Sequence, residues 1–442
     1  MRQQKILYVA DAHPAVTPGS AATRAFEVFT AMRERGAFQP VLLARAGAPN
    51  VCKPGTRVSE AEGDPAQYFF YTDANEIDEF SLAAREKHIA IEDYRKFLEA
   101  QRPALVHFQH TVHLGFELIR ETRNVLGQVP IVYTFDDYLP ICSNGGRLVR
   151  SRTGERCLVA SPMRCHQCLP QRSPVDFFLR KRLIESHLGL VDLFLAPGHF
   201  LRQRYIDWGI PPEKIHVQDY GRPPVARRAE VPRRRTRIGY FGESDVMSGV
   251  DVLLRAMQIL AEDRDCPAHL WVHGPNRPVA KAANTTVVAR YARDEISRLM
   301  ADIDWVVVPS IWWESSPLVI QEAFQHGRPV ICSDIGGMAE RVADGVDGLH
   351  FRAGDEHRLA ETIRRAVETE GLWDRLVAGI PAVYRIEDAI DELGSLYSGL
   401  LAAKAGTLLP PIDVKAPPVA AENTGQGATL EALEPAAFKA LD

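Results

Sequence analysis

No apolar run in this 442-residue chain approaches the roughly 20 residues that cross a bilayer. The opening MRQQKILYVADAHP enters a strand-like stretch instead of a signal-peptide core. These absences predict a cytoplasmic protein, with peripheral membrane contact left open. Cysteine is scarce: there are seven, expected to stay reduced in that compartment unless a metal holds them. Charge of one sign is lacking too, because 52 Lys and Arg face 57 Asp and Glu. The net charge of −5 gives no reason to expect nucleic acid as a partner. A hydrophobic content of 46% and a charged content of 25% suit a globular chain, one too long for a single ordinary core.

What the sequence does have is alternation. KILYVA reads as a strand, a turn through Gly19 leads to the amphipathic helix AATRAFEVFTAMRERG, and strands follow at PVLLAR, ALVHFQ, IVYTFD and LFLAPG. Short apolar runs separated by helices predict a parallel sheet covered on both faces. The proline-rich, charged stretch 221–237 interrupts the pattern and reads as a linker, more readily a solvated one than a nucleic-acid patch. Alternation restarts with RIGYFG and continues through LWVHG, TVVARY, DWVVVPS, PVICSD and GLHF. The predicted organisation is an α/β protein of two doubly wound, Rossmann-like domains, 1–220 and 238–403, facing a central cleft where ligand binds at strand C-termini. A Pro/Ala-rich disordered tail is expected over 404–442.

One stretch of the second domain, ESSPLVIQE, places Glu314 and Glu322 around a predicted helix start. Ser316 is the expected N-cap and Pro317 the first helical residue, with the helix running to about Gly327. The amides of Leu318 and Val319 would then lack intrahelical partners and form an anion site. An anion site bracketed by carboxylates suits a ligand carrying both phosphate and hydroxyl groups.

The run DIDWVVVPSIWWESSPLVIQEAFQHGRPVICSDIGGMAERVADGVDGLHF resembles the donor-binding core of the retaining family 4 glycosyltransferases, which have the GT-B fold. Glu314 and Glu322 match that family's E-x7-E motif, and the Gly19 loop, VHFQHTVH, TFDDYLPIC and IGYFGESDVMSGVDVLL extend the resemblance over most of the chain. The resemblance implies a nucleotide diphosphate sugar as donor and an acceptor that the sequence does not name: a saccharide, a lipid-linked saccharide or a small molecule. It implies that Glu322 holds the ribose hydroxyls, that Glu314 contacts the donor sugar, and that the amides after Ser316 face the phosphates. Gly19 would lie near the phosphates, Gly336 and Gly337 would admit donor close to backbone, and the last helix would pack on the first domain. No cofactor is expected for catalysis.

Two departures stand out. Relatives often carry an arginine and a lysine where this chain has Glu243 and Ser248, in FGESDVMSGV. A carboxylate beside a diphosphate is repulsive, so Arg24, Arg222 and Arg277 are candidate replacements. Relatives also have His-Asp where this chain has Asp136-Asp137. Adjacent side chains on an extended segment diverge, which argues against a metal site there. His110 and His113 are further candidates on the acceptor side. These departures keep two rivals open: a degenerate nucleotide-sugar-binding protein, and another GT-B enzyme such as a phosphorylase or an epimerase.

The segment 140–172 holds Cys142, Cys157, Cys165 and Cys168 among Gly, Ser, Arg and Pro. A loop of this length needs an organiser. A C-x2-C pair with two further thiols satisfies the count for a structural zinc, with His166 as an alternative ligand; a disulfide, an iron–sulfur cluster and free thiols are the competing readings.

Overall fold

The computed structural model describes residues 3–48, 51–85, 88–225, 234–262, 266–279, 282–288, 290–404 and 406. The chain divides into two compact units: one runs to Gly221 and resumes at Ile386, the other spans Arg222–Arg385. The second unit therefore begins inside the stretch read as a linker, of which residues 226–233 lie outside the described residues. So does nearly all of the expected tail.

The first unit is built from β1 (Lys5–Ala10), α1 (Ser20–Arg35), β2 (Gln39–Ala46), β3 (Val58–Ala61), β4 (Asp64–Tyr71), β5 (Ile77–Asp78), β6 (Ala83–Ala84), α2 (His88–Gln101), β7 (Leu105–Gln109), α3 (Glu117–Leu126) and β8 (Ile131–Thr134). It continues with α4 (Pro162–Cys168), α5 (Pro174–Leu188), β9 (Leu193–Ala196), α6 (His199–Trp208) and β10 (Ile215–Val217). Eight strands form one sheet in the order β10-β9-β8-β7-β1-β2-β4-β3, parallel except for the β3–β4 hairpin. Strand order reverses at β1, which pairs with both β2 and β7. In an open α/β sheet this switch point leaves a crevice beyond the strands' C-terminal ends.

The second unit runs β11 (Arg237–Phe241), α7 (Val250–Glu262), β12 (His269–His273), β13 (Thr285–Val288), α8 (Ile296–Ala301), β14 (Trp305–Val308), α9 (Leu318–Gln325), β15 (Val330–Ser333), α10 (Gly336–Arg341), β16 (Gly348–Phe351), α11 (Glu356–Glu368) and α12 (Leu372–Gly379). Its all-parallel sheet has the order β13-β12-β11-β14-β15-β16, so its switch point lies between β11 and β14. Every residue of β14 is buried, which explains its uninterrupted apolar sequence. One face of the sheet packs a core with α7, α11 and α12, and the other a core with α8, α9 and α10.

The last helix, α13 (Ile386–Lys404), belongs to the first unit. Its Ile386, Ile390, Leu393 and Tyr397 recur at helical spacing and join the core around Ile6, Tyr8 and Phe29. Each such side chain contributes roughly 1.5–3 kcal/mol on burial. The Tyr397 hydroxyl donates to that of Tyr8 (3.2 Å) and lies 2.5 Å from His107 Nδ1. Among the described residues no helix is long and apolar enough to cross a membrane.

Candidate functional site

In the second unit the candidate residues collect at the C-terminal ends of β11, β14 and β15. After β14 the chain turns through Pro309–Pro317 before entering α9. Glu314 Oε1 accepts hydrogen bonds from Ser310 Oγ and Trp312 Nε1, both at 2.9 Å, which fixes its carboxylate over the loop. Behind it α10 begins with two glycines. The Gly337 amide donates to the Glu314 carbonyl at 2.8 Å. A Cβ on Gly337 would stand 2.3 Å from the Ser315 carbonyl oxygen. The glycine thus lets α10 press against the chain's own Glu314–Ser315 backbone.

The expected Ser316 cap does not form. Pro317, with ψ 115°, is the N-cap of α9, and no side-chain acceptor caps the helix. Ser316 Oγ accepts from Arg341 Nε at 3.1 Å instead, a partner from α10 that local spacing does not foretell. The first turn, at Leu318 and Val319, keeps the positive end of its peptide dipoles and gains a guanidinium beside it. Inside the helix Glu322 is only 6% exposed. Two guanidinium groups reach its Oε1: Arg222 Nη2 at 3.3 Å and Arg293 Nη2 at 3.1 Å. Arg222 is itself buried, whereas Arg293 is 43% exposed.

Glu243 and Ser248 lie on the loop after β11. Glu243 is exposed and accepts from Asn276 Nδ2 at 2.9 Å. Ser248 Oγ donates to the Asp245 carbonyl (2.5 Å), closing a short 3-10 turn. Arg277, on the loop after β12, donates from Nε to the Ser244 carbonyl and from Nη2 to Asp251 (3.1 Å). A cation is therefore held one residue from Glu243, supplied by a neighbouring strand. Between these loops His273 is buried and stacks on Phe241, with centroids 4.6 Å apart. Burial lowers its pKa to about 4.

In the first unit, Asp11 after β1, His110 after β7 and Asp136-Asp137 after β8 meet at the switch point. Arg24 Nη2 donates to Asp136 Oδ2, and the Tyr220 hydroxyl donates to Oδ1 at 2.6 Å. Burial raises the Asp136 pKa, but Arg24 and the hydrogen bonds outweigh it, leaving the carboxyl below its usual range. Arg24 also lies 4.5 Å over the Tyr220 ring. His110, with φ 59°, places Nε2 2.6 Å from Asp137 Oδ2 and Nδ1 3.6 Å from Asp11 Oδ2. Burial opposes its protonation, yet Asp137 and Asp11 hold its pKa well above the ordinary value, so the ring carries a proton at neutral pH. His113 Nδ1 lies 2.6 Å from the same Asp11 Oδ2, and the His113 amide donates to Oδ1 at 2.6 Å. Gly19 is the N-cap of α1 in extended backbone; nothing lies within 4 Å of a Cβ there, so no close approach within the chain demands a glycine.

Cys142, Cys157, Cys165 and Cys168 line one cavity. All four are unpaired thiols. Burial pushes Cys142 up to about 11, with smaller contributions from Cys165 and Cys157. Cys168 Sγ accepts from the Ser151 amide at 3.2 Å. His166 is turned aside, with Nδ1 2.7 Å from the Arg172 carbonyl. Among the described residues no set of three or more His, Cys, Asp or Glu side chains is arranged to hold a metal ion. The donor set suits a thiophilic ion, but the thiols share a cavity without converging on one point.

Two doubly wound units, each with charged side chains gathered at its switch point, are the GT-B architecture. Solved structures agree. Sucrose-phosphate synthase from Thermosynechococcus elongatus superposes with a TM-score of 0.67 at 18% identity, over 91% of this chain and 100% of that one. Anabaena HepE, solved with UDP and glucose, gives 0.60 at 15% identity, over 90% and 100%. Residues 23–221 match the family model for Glycosyltransferase Family 4, and residues 235–369 match that for Glycosyl transferases group 1. One model thus falls on each compact unit of the chain. Among curated proteins, it is 31% identical to a D-inositol 3-phosphate glycosyltransferase of Nocardioides sp. over 34% of this chain and 38% of that protein. It is 24% identical to the alpha-D-kanosaminyltransferase of Streptomyces kanamyceticus over 42% and 55%. The matched region therefore spans only 38% and 55% of the length of these relatives.

Sequence reasoning missed Asp11, Tyr220, Arg293 and Arg341. Asp11 carried a readable signal, being the first polar residue after a buried strand. The other three earn their place through long-range contacts that no local pattern announces.

Proposed function

We propose that the protein transfers a glycosyl group from a nucleotide diphosphate sugar to an acceptor, with retention of anomeric configuration. The observation that carries this reading is the Glu314–Glu322 pair flanking an α9 start that has no side-chain cap, beside the sheet's switch point and inside the region matched by the group 1 model. In this reading Glu322 accepts from the ribose hydroxyls and the first turn of α9 faces the diphosphate. Glu314 lies toward the donor sugar, where its charge stabilises an oxocarbenium-like transition state. Arg341 beside Ser316 and Arg277 beside the Glu243 loop supply the positive charge that Glu243 and Ser248 do not. The first unit takes the acceptor, with the protonated His110 and the Asp136–Arg24 pair shaping that end. HepE, solved with UDP and glucose, makes uridine nucleotides the first donors to test. In this reading Cys142, Cys157, Cys165 and Cys168, which line one cavity, would hold a structural zinc that would brace segment 140–172.

The test is release of nucleotide diphosphate from UDP-, GDP- and ADP-sugars, with and without acceptor extracts. One donor should be consumed, with turnover falling about 100-fold or more in Glu314→Gln, and the product's anomeric proton should show the donor's configuration. Tight donor binding without turnover on any acceptor would instead favour the degenerate binding protein, the reading to which the exposed Glu243 lends weight. Inversion at the anomeric carbon would contradict retention.

A further inference from the structure

Segment 140–172 and the start of α5 concentrate two properties that are sparser on the rest of the described surface. Among the described residues nine large apolar side chains are exposed, and six of them, Leu158, Val159, Met163, Val175, Phe178 and Leu179, fall in this one segment at 47–62% exposure. On α5, Val175, Phe178 and Leu179 have i, i+3, i+4 spacing and share one face, while Phe177, Arg180 and Ile184 turn into the core. α4 packs against α5, and an open groove touching Pro162, Cys165, Phe178 and Arg182 joins them. The helix is thus apolar on two sides, one side more than its own fold requires.

Charge is the second property. Residues 142–182 contain nine Lys and Arg against two acidic residues, in a chain whose net charge is −5. Arg180 is spent internally on the carbonyls of Phe80, Leu139 and Pro140. Arg147, Arg152, Arg164, Arg172 and Arg182 are exposed around the apolar residues, with Arg182 sharing Glu185 at 3.1 Å.

We propose that this surface docks the protein on an anionic lipid bilayer, with Met163, Phe178 and Leu179 entering the headgroup–acyl boundary and the arginines meeting lipid phosphates. An apolar tip ringed by cations is what interfacial binding requires, each arginine adding about fivefold to partitioning. A second copy is a poorer occupant, because a two-fold contact would set this cationic patch against itself. The proposal is independent of the sugar-transfer reading, since none of these residues belongs to the donor or acceptor sites.

The test is co-sedimentation of the full-length protein with vesicles of phosphatidylcholine alone, or with about one third phosphatidylglycerol. Binding is expected only to the anionic vesicles and should weaken as salt rises. It should fall about tenfold or more in Phe178→Ser/Leu179→Ser and in Arg164→Glu/Arg172→Glu, and stay unchanged in Val346→Ser, an exposed apolar residue of the second unit. Unaltered melting of these surface variants shows that they fold. Absence of binding to anionic vesicles, or full binding by both double variants, overturns the proposal. Dimerisation abolished by Phe178→Ser/Leu179→Ser, or capture of an acidic protein without lipid binding, would overturn it in favour of a protein partner.

Discussion

Replacing Asp136 by Ala asks whether the carboxylate buried against Arg24 is a structural charge. Asp136 and Arg24 have side chains only 11% and 7% exposed, and Tyr220 donates to the same carboxylate at 2.6 Å. Alanine leaves the Arg24 guanidinium buried without its counter-ion, which costs about 3–5 kcal/mol. Tyr220→Phe removes one charge-assisted hydrogen bond and should cost about 1.5–3 kcal/mol. A triple replacement, Arg24→Met with Asp136→Leu and Tyr220→Phe, removes the ion pair and the tyrosine hydroxyl together and should return to within about 2 kcal/mol of the wild type. The two units need not unfold together, so a single melting curve is a poor readout. Native-state hydrogen exchange on peptides from β1, β7 and β8 reports the first unit directly. A loss below about 1 kcal/mol in Asp136→Ala, or a triple variant as unstable as the single one, would refute the argument.

Further predictions concern other parts of the molecule. Gly337→Ala forces a Cβ to within 2.3 Å of a backbone carbonyl and should cost at least about 1–3 kcal/mol while displacing the Glu314 loop. Gly394→Ala in α13, where the nearest atom is 3.7 Å away, should be neutral or stabilising by up to about 1 kcal/mol; comparable urea midpoints for the two would sink the packing account. His107 is buried between Tyr397 and Thr134, and burial lowers its pKa to about 3. A folded-state pKa below the unfolded one means stability present above about pH 6.5 and lost as pH falls, about 2 kcal/mol between pH 6.5 and 5. A His107→Gln variant with the wild-type slope over that range would contradict this. Metal analysis of protein purified without chelator should find about one zinc per chain, lost in Cys165→Ser/Cys168→Ser; wild type that emerges from this purification without zinc, its four thiols fully reactive and unprotected by added zinc, would count against the zinc proposal.

The parallel strands were legible because sheets covered on both faces demand nearly unbroken apolar runs, and β1, β7, β8 and β14 have them. The β3–β4 hairpin and the β5–β6 ribbon were not. Asp64–Tyr71 is mostly half-buried, so its composition is mixed and its period weak. At the candidate site, the E-x7-E spacing and the strand before it could be read from the chain, because both follow from backbone geometry. What surrounds those glutamates could not. Arg222 reaches Glu322 across 100 residues of sequence, and Arg341 takes the serine that local rules assign to capping. Side-chain partners of this kind are fixed by sheet order, which one-dimensional patterns do not encode.

Calorimetric titration with UDP, GDP, ADP and CMP, on wild type and on Glu322→Ala, tests the central claim most directly. The account predicts micromolar binding of one nucleotide diphosphate, lost by about 10-fold or more when the carboxylate is removed. Failure of all four to bind, or equal binding by the variant, would contradict a nucleotide pocket at Glu322.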